Sequence, residues 1–247
     1  MSGHSKWSQI KRQKGAADVK RGNLFTKMTR EVMIAAKQGG GDPEANFRLR
    51  LAMDRARAVN MPKDSIQRAI DRATGGGEGV QLESVMYEGY APGGVSVMVE
   101  AATDNRNRTA PEIRAAFTRH GGKLGEAGSV QWLFEQKGVI EIDATGGKAD
   151  EVELAAIDAG AEDVETDKGL VTVYTATKDF EKVKRSLEAA GIRVASAEVS
   201  MRPTSTVSVD GDTAQKVIRL VEALEELDDV QRVHANFDIP EEVLATV

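Results

Sequence analysis

The 247-residue sequence predicts an α+β protein: an N-terminal three-helix basic domain followed by two ferredoxin-like split β-α-β domains, one inserted in the other. Three observations carry this expectation. Residues 1–72 hold 16 Lys and Arg against 7 Asp and Glu, a local charge of +9, so the rest of the chain carries −15 within a net charge of −6. Up to residue 75, apolar residues recur at helical spacing between glycine triplets. Beyond residue 80 a strand–helix–strand unit occurs four times.

Asn23 is placed to cap a first helix that runs to about Gln38 and stops at Gly39-Gly40-Gly41. Leu24, Met28, Val32 and Ala36 fall every fourth residue and form its inward stripe, while Lys27, Arg30 and Lys37 lie off it and face water or a ligand. A second helix is expected to open at Asp42-Pro43, with proline in the first turn. It buries Phe47, Leu51 and Val59 and turns Arg48, Arg50, Arg55 and Arg57 elsewhere. Pro62 begins a third helix that presents Ile66, Ala69 and Ile70 inward and ends at Gly75-Gly76-Gly77. Neither glycine triplet has the GxxxxGK[ST] spacing or stands between a strand and a helix, so both read as helix stops rather than phosphate loops.

The four later units are strand 95–101, helix 110–120 and strand 130–134; strand 139–142, helix 149–159 and strand 163–166; strand 170–175, helix 180–190 and strand 192–199; and strand 206–209, helix 213–227 and strand 230–236. Units two and three are contiguous and close as one domain. Unit four follows the linker-like Arg202-Pro203-Thr204-Ser205 and then pairs with unit one. The expected domains are therefore 1–79, a discontinuous 80–134 plus 203–247, and an inserted 135–202. Tandem pairing is the alternative, and it leaves a strand at Ser84–Tyr87 without a place.

Composition removes whole classes of chemistry. Hydrophobic residues at 40% and charged residues at 29% suit a globular protein, and no apolar stretch approaches the ~20 residues that cross a bilayer. The basic, polar segment Ser2–Arg21 has no apolar core of a secretory signal, so a cytoplasmic location is expected. Zero cysteines exclude disulfides, thiol catalysis and thiolate-bound metals, and three scattered histidines give no metal-like spacing. No catalytic constellation, metal site or cofactor motif stands out. The acidic run Glu222, Glu225, Glu226, Asp228 and Asp229 reads as a solvated helix face.

The candidate nucleic-acid contacts are Lys6, Lys11, Arg12, Lys14, Lys20, Arg21, Lys27 and Arg30, a block of cations opposed in the tail only by Asp18. Asp104-Asn105-Arg106-Asn107-Arg108-Thr109 joins a strand to a helix, with Thr109 read as the N-cap ahead of Pro111 and Glu112. Arg106 and Arg108 there either hold an anion of a partner or pair with acids of the −15 body. Tyr87 and Tyr90 either stack on a base or, more simply, pack in the core or at a domain contact.

Ser2-Gly3-His4-Ser5-Lys6-Trp7, Lys20-Arg21-Gly22, Phe25-Thr26-Lys27, Gly39-Gly40-Gly41-Asp42-Pro43, Tyr87-Glu88-Gly89-Tyr90, Asp104–Thr109 and Gly128-Ser129-Val130 together resemble the YebC/PmpR family. The likeness runs with close spacing from residue 2 to about 140, and more loosely to the end. It implies a helical N-terminal domain plus two α+β domains, one inserted in the other. It also implies a non-enzymatic protein: members are described as DNA-binding transcriptional regulators. Others, including the mitochondrial activator of cytochrome oxidase subunit one synthesis, act in translation at the ribosome, and bacterial members are linked to relief of stalling at proline-rich stretches.

Two partners are thus expected, DNA for a transcriptional regulator or ribosomal RNA for a translation factor, with no membrane involved. Phosphate contacts by Lys and Arg serve either. The sequence shows no helix-turn-helix, zinc-finger or RRM signature, which tilts the physics toward RNA while the family keeps DNA in view. A ligand sensor using a cleft between the α+β domains is the third and weakest expectation.

Overall fold

Three short amphipathic helices cannot bury their apolar stripes alone, and the bundle they form is the first layer of the fold. The structure, a computed structural model, describes residues 21–75 and 82–239, and for Arg21 and Gly22 only the backbone. Helix α1 spans Arg21–Gly39, α2 Phe47–Ala58 and α3 Lys63–Thr74. Met28, Val32 and Ala36 of the expected stripe are buried, joined by Met33, Leu49, Ala52, Ala56, Met61, Ile66, Ala69, Ile70 and Leu82.

Helix α2 departs from expectation in its start and its face. Asp42-Pro43 lies in a turn, and the cap is Asn46, whose Oδ1 accepts from the Leu49 amide at 3.1 Å. Its Nδ2 donates to the carbonyls of Ala35 at 2.8 Å and Gly40 at 2.7 Å, tying the end of α1 to the start of α2. With the helix begun at Phe47, Leu49, Ala52 and Ala56 form the buried stripe, and Phe47, Leu51 and Val59 are only partly covered.

The next elements are β1 (Glu83–Tyr90), β2 (Ser96–Thr103), α4 (Arg106–Arg119) and β3 (Lys123–Leu124). After them come β4 (Phe134–Asp143), α5 (Ala149–Ala159), β5 (Asp163–Asp167), β6 (Leu170–Ala176), α6 (Phe180–Ala189) and β7 (Val194–Pro203). The chain closes with β8 (Val207–Ser208), α7 (Gly211–Glu225), β9 (Val230–Ala235) and β10 (Phe237–Asp238). The backbone divides into two compact units, Phe134–Thr204 and the chain on either side of it.

In the unit Phe134–Thr204 the strand order is β5-β6-β4-β7 with every neighbour antiparallel, the split β-α-β arrangement. Ile140, Ile142, Val171 and Val173 of the sheet and Val183 and Leu187 of α6 are buried. Across the sheet, the Arg202 guanidinium stacks 3.8 Å from the centre of the Tyr174 ring and pairs with Asp163 and Glu165.

The other unit carries a sheet of order β3-β1-β2-β9, also antiparallel throughout. Its composition corrects two expectations. Residues 130–134 do not form a strand of this sheet: Gln131–Leu133 is a 3-10 turn, and the edge belongs to β3. Strand β8 pairs in parallel with β10 instead, and the interior position is taken by β1, the segment that tandem pairing leaves over. Helices α4 and α7 pack on one face through Ile113, Phe117, Val217, Leu220 and Leu224 against Val97, Val99, Val233 and Ala235. Helix α1 approaches the opposite face along β2 and β9.

Candidate nucleic-acid interface

The exposed cations of the described helices point away from the bundle core. Lys37, Arg48, Arg57, Lys63, Arg68 and Arg72 are all exposed. Arg48 bonds Gln38 at 2.9 Å and Arg57 pairs with Asp54 at 2.9 Å, contacts between solvated side chains that contribute little stability. Of the sequence-predicted contacts, Lys6, Lys11, Arg12, Lys14 and Lys20 lie outside the described residues, and Arg21 stands in the first turn of α1.

Lys27 and Arg30 meet the segment that joins α7 to β9. Lys27 Nζ donates to the Glu225 carbonyl, and the Arg30 guanidinium to the Asp228 carbonyl. Arg30 Nη1 also lies 2.7 Å from Asp229 Oδ1. These cations therefore complement the C-terminal end of α7, where the helix carbonyls attract positive charge. They brace the bundle against the sheet.

Asp229 is the centre of this contact. Its side chain is 3% exposed and receives Arg108 Nη2 at 2.8 and 3.0 Å on its two oxygens, Thr103 Oγ1 at 3.1 Å, and Thr109 Oγ1. Burial works against its charged form, but the hydrogen bonds from Thr109 and Arg108 and the charge of Arg30 outweigh it and hold the carboxyl below the usual aspartate range. The acidic run is thus not uniformly a solvated face: Asp228 is exposed, and Asp229 is buried and fully paired.

The segment before α4 serves the same centre. The helix begins at Arg106, earlier than expected, because Asn105 is the cap and accepts from the amides of Asn107 at 3.0 Å and Arg108 at 3.2 Å. Thr109 is therefore a buried helical residue beneath Asp229 rather than a cap, and Pro111 falls inside the helix. Arg108 bridges Asp104 and Asp229. Arg106 makes an exposed pair with Glu83, 2.6 Å from Nη2 to Oε2. Both arginines thus pair with acids of this chain.

A second charged chain links α1 to the sheet. Glu31 Oε1 receives Arg55 at 2.9 Å and Arg232 at 2.7 Å, and Glu100 Oε1 stands 2.8 Å from His234 Nε2. Burial raises the Glu31 carboxyl above the usual glutamate value against the pull of Arg55.

Sequence reasoning missed Glu88. This residue, between the two tyrosines, is buried, and its carboxylate accepts from the amides of Gly128 at 2.6 Å, Val130 at 2.7 Å and Gln131 at 2.9 Å. Burial opposes its ionisation, yet those three donors hold it below its ordinary value. Gly128 has φ +84°, where a side chain would be strained, so it permits the turn that aims those amides inward. The available signal was the charge set within an apolar–aromatic strand. Tyr87 packs on the helical face of the sheet, while Tyr90 is exposed and donates to the Ser129 carbonyl at 3.1 Å.

Residues 5–76 match the TACO1/YebC protein N-terminal domain, and residues 82–237 match the TACO1/YebC second and third domain. A protein of Rubrobacter xylanophilus named "Probable transcriptional regulatory protein" is 58% identical over 248 residues, covering 100% of this chain and 99% of its own length. One of Dictyoglomus thermophilum with the same name is 52% identical, covering 100% of both. The crystal structure of the conserved hypothetical protein Aq1575 from Aquifex aeolicus superposes with a TM-score of 0.85 at 51% identity, covering 92% of this chain and 94% of that one. On these matches across nearly its whole length, the chain belongs to the TACO1/YebC family.

Proposed function

We propose that this protein is a non-enzymatic nucleic-acid-binding regulator, acting as a DNA-binding transcriptional regulator from the cytoplasm. The observation that carries the reading is the charge of its N-terminal module: +9 over residues 1–72, with Arg48, Arg57, Lys63, Arg68 and Arg72 exposed on the bundle. The −15 remainder repels a polyanion, so the basic end makes first contact. The names of its relatives support regulation as the outcome. Lys6, Lys11, Arg12, Lys14, Lys20 and Arg21 are assigned to phosphates. Lys27 and Arg30 fix the angle at which the bundle is presented.

The test is a salt titration of duplex binding by the full chain. Reversing Lys11, Arg12 and Lys14 to Glu lowers affinity and flattens the dependence of log K on log salt by about 3, at roughly 0.9 for each phosphate no longer neutralised. Unchanged affinity and slope would remove the tail from the interface.

A second reading, a ribosomal-RNA-binding translation factor that relieves stalling at proline-rich stretches, is favoured by the exposed rings of Tyr90 and Trp132, because structured RNA offers unpaired bases that a closed duplex does not. In-cell ultraviolet crosslinking separates the two: crosslinks in one ribosomal RNA region mean translation, and discrete genomic sites mean transcription.

A further inference from the structure

The face of the β3-β1-β2-β9 sheet opposite α4 and α7 is covered by α1 along β2 and β9. Along β1, alternation places Met86, Glu88 and Tyr90 on that same face. Met86 is 38% exposed and Tyr90 39%, and Trp132 beside them is 73% exposed. A tryptophan so open to water forfeits most of its apolar burial, and a surface indole is ordinarily free to rotate. This one is held. Trp132 Nε1 donates to the Ser129 carbonyl at 3.2 Å, and Tyr90 Oη donates to that same oxygen at 3.1 Å. The backbone carrying the carbonyl is fixed by the three amide hydrogen bonds to buried Glu88.

We infer that Tyr90 and Trp132 form a stacking platform for an unpaired nucleobase. Both rings have their polar edges anchored at one point and their faces available, so the ordering cost of two large side chains is met before a ligand arrives. Every base has a π-face, so such a platform binds single-stranded nucleic acid with little regard to sequence. The surrounding charge suits the backbone that follows a stacked base. Exposed Lys123 stands directly across from Tyr90 in the antiparallel register, on the same face of the sheet. The platform also lies on the sheet face that the basic bundle partly covers, so one strand can meet both. The inference rests on the nucleic-acid reading above and adds its site for unpaired bases.

The experiment uses the full chain with Trp7→Phe, which leaves Trp132 as its single tryptophan. It is titrated with an oligoribonucleotide, the matching oligodeoxyribonucleotide, and an abasic backbone of equal length. Stacking quenches Trp132 emission with the two base-bearing strands and not with the abasic one. In the same background Trp132→Ala weakens base-bearing strands about tenfold, within the range of one lost base–aromatic stack. It leaves abasic binding unchanged, and Trp132→Phe restores most of the loss. Trp132→Ala and Tyr90→Ala that bind base-bearing strands as tightly as the parent overturn the platform. So does emission that shifts with protein concentration alone, which assigns the patch to a second copy of the chain. If binding persists and charge reversal at Lys11, Arg12 and Lys14 abolishes it while Trp132 stays silent, the platform falls and the nucleic-acid reading stands. If no strand binds at all, both fall.

Discussion

Asp229 and Glu88 do opposite things with the same chemistry. Asp229 gathers Arg30 of α1 and Arg108 and Thr109 of α4 around one buried carboxylate, so it joins elements distant in sequence. Glu88 gathers three backbone amides of one loop and so fixes the local course of residues 128–131. Removing one partner of such a cluster leaves the others desolvated and unpaired. Asp229→Ala is therefore expected to cost about 3 kcal/mol, read as a lower midpoint in urea denaturation. Arg106→Ala, which breaks only the exposed pair with Glu83, is expected to change stability by less than about 1 kcal/mol in the same assay. Asp229 does not announce itself in the sequence. Asp229 sits among four acids that helical spacing assigns to solvent, and burial is decided by what packs there.

At the scale of elements, local signals and tertiary demands divide cleanly. The third helix has its expected inward residues, Ile66, Ala69 and Ile70, because its period meets a bundle that needs only one stripe. In α2 and α4 the asparagines at 46 and 105 outcompete the Asp-Pro and Thr-Ala-Pro signals, since each cap also satisfies a neighbouring segment or positions a residue for the Asp229 cluster. The Val130–Phe134 run has strand composition, yet Val130 is buried with its amide directed at Glu88 and Gln131–Leu133 is a 3-10 turn, so only Phe134 enters a ladder, as the first residue of β4. Within β4, Gly138 faces the buried Phe180: a Cβ there would stand 2.2 Å from Phe180 Cδ2 and 2.3 Å from Thr175 Oγ1. Gly138→Ala is expected to destabilise the unit Phe134–Thr204 by about 1–3 kcal/mol, and thermal denaturation followed by hydrogen exchange would place the loss there. Strand propensity alone would have favoured the alanine.

For the molecule as a whole, buried carboxylates set the response to acid. Asp229 and Glu88 titrate below their ordinary values in the folded chain, so the stability they contribute is complete above about pH 5 and is lost as pH falls through their folded values. Glu31 has the opposite sign: its raised value costs stability as pH rises past the ordinary glutamate range, and that cost is relieved in acid. Asp143 and Asp210 are also held low, by hydrogen bonds from Thr145 and Thr213, so depressed carboxylates outnumber the raised one and the melting temperature is expected to fall below about pH 5. Asp229→Asn is expected to melt lower at neutral pH with a shallower acid slope, and an acid slope identical to that of the parent would show that Asp229 is not the group responsible.

The sequence by itself determined the class of the fold, the α+β body behind a basic helical end, because period, glycine punctuation and charge blocks are properties of the chain read in order. It also carried the family likeness, since that rests on motifs and their spacing. What only the tertiary structure decided is which strand fills which place in the β3-β1-β2-β9 sheet, which acid is buried, and that Lys27, Arg30, Arg106 and Arg108 answer acids and carbonyls of the same chain. Each of these is a choice among partners far apart in sequence. Such choices follow from desolvation, since a buried charge or amide takes the partner that geometry brings within about 3 Å.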